Sequence, residues 1–112
     1  MSKVIVVKVD GTVMATKLES LEQIQGAVGG WIELIRCGSL GSGFINEEGK
    51  LKGLPVNLLA TLIWHKAQPE SKCDFLVGDV VFCGNEDQHG NTKDIKKEFE
   101  SFIKAMRKNL IC

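Results

Sequence analysis

The run Asn46-Glu47-Glu48-Gly49-Lys50-Leu51-Lys52-Gly53-Leu54-Pro55-Val56-Asn57-Leu58-Leu59-Ala60 constrains the fold more than any other part of the chain. A tight polar turn, a second glycine and a proline-led apolar segment follow one another near the middle of only 112 residues. Glu47 to Lys50 reads as a turn, with Gly49 free to take a positive φ, between a strand around Phe44 to Asn46 and a short segment at Lys50 to Lys52. Pro55 suits the first turn of a helix, where its missing amide donor is not needed. Elements this short and this often broken point to a small α+β domain. The expectation is a mixed or antiparallel sheet packed by two or three helices, in one domain spanning 1–112, because the chain is too short for two independent cores.

The flanking segments fit that architecture. Val4 to Val9 is rich in β-branched residues and reads as a strand, turning at Asp10-Gly11 into a second strand over Thr12 to Thr16. Ser20-Leu21-Glu22-Gln23 has the form of a capping box, in which the Ser20 hydroxyl accepts the Gln23 amide and the Gln23 side chain bonds back to Ser20. Leu21, Ile24, Ala27 and Val28 continue at helical spacing until Gly29-Gly30 ends the helix. Trp31 to Arg36 reads as the next strand, with Trp31, Glu33 and Ile35 on one face and Ile32, Leu34 and Arg36 on the other. The small residues of Cys37 to Gly43 read as a flexible loop or irregular hairpin before Phe44 and Ile45 resume the sheet.

Leu58 to Trp64 is almost continuously apolar and fits a helix or a central strand; the favoured reading is a short helical turn followed by a strand. His65 to Lys72, which contains Pro69, reads as a polar, mobile excursion. Val80 to Cys83 reads as a buried strand, Gly84 to Asn91 as its exit loop, and 92–110 as an amphipathic helix capped by Thr92. Along that helix Ile95, Phe99, Phe102, Ile103, Met106 and Leu110 form one core-facing stripe.

Charge and cysteine usage narrow the function classes. Fourteen basic residues balance fourteen acidic ones, so no global field favours nucleic acid or anionic membranes, and near neutrality eases homo-oligomerisation. No apolar run is long enough for a membrane helix or a signal-peptide core, and Cys112 lacks the three following residues of a prenylation motif. Cys37, Cys73, Cys83 and Cys112 are spaced too unevenly for a zinc knuckle or redox loop, and free thiols are expected.

The chemistry-bearing motifs are weak. Gly38-Ser39-Leu40-Gly41-Ser42-Gly43 lacks the lysine and hydroxyl of a phosphate-binding loop. His65 and His89 with Cys73 and Cys83 do not have the spacing of a tetrahedral metal site, so neither metal nor cofactor is expected. Cys83 with His89 and Asp87 would be the candidate nucleophile arrangement, but Cys83 reads more simply as a strand end. Glu47 and Glu48 read as solvated turn residues, with Asp79 a further carboxylate that acid-base chemistry would need nearby. Lys93, Lys96, Lys97, Lys104, Arg107 and Lys108 suit the negative end of the helix dipole, with an anionic ligand or acidic protein as the sharper reading. No catalytic residue is assigned. Trp31 and Trp64, joined by Arg36, Asn46 and Asn57, are the candidate ligand-binding set, because an indole beside amide and cationic groups can hold a nucleotide-like ligand.

Gly29-Gly30-Trp31-Ile32-Glu33, then Asn46 to Asn57 as quoted above, then Gly78-Asp79-Val80 occur in an order that resembles domain-of-unknown-function family 3846, frequent in bacteriophages and in Gram-positive bacteria and their mobile elements. The likeness spans Lys3 to Gly84, with Leu58 standing where the family pattern often has a basic residue. It carries no catalytic residues. It implies a phage or mobile-element protein in the bacterial host cytoplasm, a non-enzymatic binder and inhibitor of a host process whose partner is a host protein or a small anionic ligand. The alternatives it leaves are sequestration of a nucleotide-like signal in an oligomer pocket, or an uncharacterised small enzyme.

Overall fold

A computed structural model describes residues 2–86 and 93–111. Its elements run β1 (Ser2–Val7), β2 (Val13–Leu18), α1 (Leu21–Val28), β3 (Ile32–Cys37), β4 (Gly41–Asn46), α2 (Leu58–Ala67), a 3₁₀ segment (Pro69–Cys73), β5 (Val80–Cys83) and α3 (Lys97–Ile111). The five strands form one sheet in the order β2-β1-β5-β4-β3, and every pairing is antiparallel. This is the expected α+β domain, with a long C-terminal helix. β5 enters last and takes the centre, leaving β2 and β3 as the edges.

Side-chain alternation sorts the strands into two cores. Val4, Val6, Phe44, Val81 and Cys83 pack beneath α1 through Val28, whereas Ile5, Val7, Val80 and Phe82 pack under α2 and α3 through Leu59, Ile63, Phe99 and Ile103. Phe82 and Phe99 meet edge to face with centroids 5.3 Å apart, a geometry worth about 1 kcal/mol beyond area burial. The stripe expected on the last helix is this core contact, with Phe102 and Met106 partly buried beside it. Ile95 belongs to the same core but precedes the helix, its amide bonded to the Lys3 carbonyl at 2.9 Å. The expected cap Thr92 lies outside the described residues.

Local chemistry explains α1. Ser20 Oγ accepts the Gln23 amide at 3.2 Å, and Gln23 Oε1 accepts the Glu19 amide, one residue earlier than the capping-box pattern predicted. Gly29 ends the helix at φ 82°, where its amide bonds to the Gln25 carbonyl.

Two expectations are corrected. Leu58 to Trp64 is wholly helical, and the helix runs on to Ala67. Asn57 is the reason at the start, since its Oδ1 accepts the Ala60 amide at 3.0 Å; leucine and alanine then favour helix over strand. His65 to Lys72 is no loose excursion, because α2 and the 3₁₀ segment occupy nearly all of it. Of the two readings of Cys37 to Gly43 the hairpin holds, with β4 beginning at Gly41 opposite Cys37: a Cβ at Gly41 would run into the Cys83 carbonyl and the Phe99 ring, so glycine lets β4, β5 and α3 close on one another. Lys50 to Lys52 is part of a turn series.

Candidate functional site

The C-terminal end of α2, strands β3 and β4 and the turn series after β4 line a cleft of about 560 Å³. Its floor is Ile35 and Ile45, from paired strands β3 and β4, with Glu33 on the same face of β3. One wall is Trp64 and Gln68 at the end of α2, continued by Glu70 and Ser71 of the 3₁₀ segment. The other is the turn series, through Glu47, Lys50 and Leu51, closed by Asp74 to Val77.

Specific bonds hold these walls. Trp64 Nε1 donates to the Arg36 carbonyl at 3.1 Å, and Gln68 Oε1 accepts the Gly38 amide at 2.8 Å, so α2 is pinned to the C-terminal half of β3. Lys50 Nζ bonds to the Asp74 carboxylate and lies 4.5 Å from the centre of the Phe75 ring, joining the turn series to the opposite segment. The Lys50 ammonium, followed by the Phe75 amide, holds the Asp74 carboxyl below the usual carboxylate range. His65 Nε2 contacts the Asp74 carbonyl oxygen at 2.6 Å.

The electrostatics are acidic. Glu33, Glu47, Glu70 and Asp74 line the cleft with Arg36 and Lys50, and with Lys50 paired to Asp74 the other three carboxylates outnumber the remaining cation. Arg36 stands at a position whose side chain alternates to the α1 side, and its main-chain carbonyl is the group that meets the Trp64 indole at the cleft wall.

Arg36, Asn46 and Trp64 of the candidate binding set border this cleft; Trp31 and Asn57 are not among its lining residues. Trp31 is 67% exposed just before β3. Both asparagines spend their side-chain polar atoms on the fold. Asn46 Nδ2 donates to the Val28 carbonyl and its Oδ1 accepts the Glu48 amide; Asn57 is fully buried and donates to the carbonyls of Val7 and Gly78 as well as capping α2. Sequence reading missed Phe75, Asp74, Gln68 and Glu70, and no local pattern joins Lys50 to a carboxylate 24 positions on.

The other candidates fall elsewhere. Asp79 Oδ1 accepts the Val9 amide at 3.0 Å, and Glu47 and Glu48 are exposed. Cys37 and Cys83 are buried free thiols pushed up to about 12 by loss of solvent, and Cys73 is free and exposed. Asp87, His89 and Cys112 lie outside the described residues. Among the described residues no group of three or more His, Cys, Asp or Glu is placed to hold a metal ion, and no helix is long and apolar enough to cross a membrane. On α3, Lys104 pairs with Glu100 and Arg107 Nε bonds to the Gly11 carbonyl, and just before the helix Lys96 Nζ bonds to the Ser39 carbonyl.

Fold and site together define a small α+β domain with an acidic, aromatic-walled cleft beside an edge strand. The chain belongs to the DUF3846 family, a domain of unknown function, whose model matches residues 1–108. No curated protein and no solved structure matches it.

Proposed function

We propose that this domain is a non-enzymatic binding protein of a phage or mobile element, acting in the bacterial host cytoplasm, and that its cleft takes hold of a host protein and thereby inhibits it. The observation that carries this is the apolar rim. Leu51 is 88% and Phe75 46% exposed where they border the cleft, and Val56, bridged to the cleft residue Val77, is also exposed. Large apolar groups held at the mouth of a concavity with a charged border are the anatomy of a protein-docking surface.

The charge balance favours a protein over a small anion, since the carboxylates would repel phosphate groups. Polar groups at the walls are already committed to one another, with Lys50 on Asp74 and the Trp64 indole on Arg36. The buried thiols are protonated and lie outside the cleft lining. Holding, rather than transforming, is what such groups do well.

Photocrosslinking in host cells tests the reading. A benzophenone side chain placed at Leu51 or Phe75 is expected to give one defined protein adduct, and the same group at exposed Ala105 on α3 none. The absence of a cleft-specific adduct would sink it. Native mass spectrometry of freshly purified protein is the second arm, reporting subunit number and retained small molecules: a retained nucleotide would replace this reading by sequestration, and turnover of it by catalysis.

A further inference from the structure

Resting on that reading of the cleft, we infer that its occupant is an extended, basic segment of the partner protein that adds as a sixth strand to the N-terminal half of β3. The backbone supplies the first argument. Glu47 donates its amide to the Trp31 carbonyl at 2.8 Å, which marks these two residues as a hydrogen-bonded pair of the antiparallel ladder. Such pairs alternate, and with the observed register Glu33 faces Ile45 and Ile35 faces Gly43 as the next bonded pairs. The N–H and C=O groups of Ile32 and Leu34, and the Arg36 N–H, therefore point away from β4 at the sheet edge. The Trp64 bond to the Arg36 carbonyl shows the same outward row from the other side.

The edge is thus closed at one end and open at the other. Trp64 and Gln68 cover β3 from Arg36 to Gly38, whereas Ile32 and Leu34 keep main-chain groups that an incoming strand can use. Leu34 fits this account: its side chain packs in the α1-side core, yet the residue borders the cleft, which it meets at the strand edge.

Charge complementarity names the occupant. A strand laid beside β3 sends alternate side chains into the cleft and to the α1 side. Those entering the cleft meet Glu33, Glu70 and Glu47 around an apolar floor, an environment for the aliphatic stem and charged head of lysine or arginine. Those on the α1 side lie beside Ile32 and Leu34, both partly buried apolar residues of that core. The segment that fits alternates basic and apolar residues. A second copy of this chain paired through β3 fits less well, because it would bring two acidic clefts together.

The test uses the full chain carrying Trp31→Phe, which leaves Trp64 as the sole indole. Three synthetic peptides of about seven residues, a typical strand length, serve as probes: alternating Lys-Val, Ser-Val and Glu-Val. Lys-Val is expected to change Trp64 emission and bind about tenfold or more tighter than Ser-Val, with affinity falling as salt rises. It should also slow amide exchange at Ile32 and Leu34. The exposed substitutions Glu33→Lys and Glu70→Lys together should abolish the preference while leaving the unfolding midpoint in place.

Glu-Val binding as tightly as Lys-Val, protection at the β2 edge instead of β3, a dimer through β3, or no binding of any probe would each overturn strand addition. Photocrosslinks from Leu51 and Phe75 alongside such a result would leave the docking cleft standing and discard only this occupant. Their absence would remove both.

Discussion

The two ends of α2 use polar groups in opposite ways. At its N-terminus Asn57 is fully buried, and its carboxamide caps the helix and ties β1 to the segment before β5 through the carbonyls of Val7 and Gly78. At its C-terminus Trp64 and Gln68 hold β3 by single bonds, and around them stand exposed carboxylates and apolar rings. Among the described residues no buried side-chain nitrogen or oxygen lacks a partner, so the uncommitted polar chemistry lies at the surface. The lesson is that one helix both locks the core and presents the site, and rigidity at one end fixes the geometry at the other.

The largest effect that would test this division is expected in alkali. Cys37 is buried in the core under α2 and Cys83 in the core beneath α1, and burial raises each thiol from 9.0 to about 12. Below 9.0 folded and unfolded chains both keep these protons; above it the unfolded chain loses them first, so stability falls as pH rises from 9.0 toward about 12. Urea midpoints across that window should show the fall, flattened in a Cys37→Ala, Cys83→Ala chain. Native protein at neutral pH should alkylate at exposed Cys73 well before either buried thiol. Equal labelling would mean the interior is not sealed.

Next in size is Asn57→Ala, expected to cost about 3 kcal/mol because it removes a cap and strips a donor from two carbonyls. Equilibrium denaturation measures it. Trp64→Phe deletes one hydrogen bond while keeping an aromatic wall, and should cost about 1 kcal/mol by the same measurement. A loss as large as that of Asn57→Ala would erase the contrast between the two ends.

Leu51→Ser should be the smallest, shifting stability by less than about 0.5 kcal/mol because the side chain is almost wholly exposed. In the same variant, crosslinking from Phe75 should weaken. Unchanged crosslinking would show that Leu51 is no part of the docking rim.

Much of the fold was legible because its signals are local. The Asp10-Gly11 turn, the Ser20 cap, the glycine stop at Gly29 and the alternation in β3 all act within a few residues, so the sequence carries them whole. Leu58 to Trp64 was not legible in that way. An unbroken apolar run has no period, and the carboxamide that caps it at Ala60 is held in place by bonds across the molecule to Val7 and Gly78. Of the site, the strand carrying Glu33 and Arg36 and the indole of Trp64 could be singled out in advance, but their opposing wall could not. Lys50, Asp74 and Phe75 meet only when the turn series folds against the segment after the 3₁₀ turn.

The sequence by itself determined a small α+β body, the hairpins and caps that build it, and the family to which it belongs, because those depend on neighbours in the chain. Tertiary structure alone decided that β5 fills the centre of the sheet, that β3 is left as an edge, and that carboxylates from four separate segments gather beside it. The reason is that backbone pairing and charge act through space, and the distances they act over are set only once the chain has closed on itself.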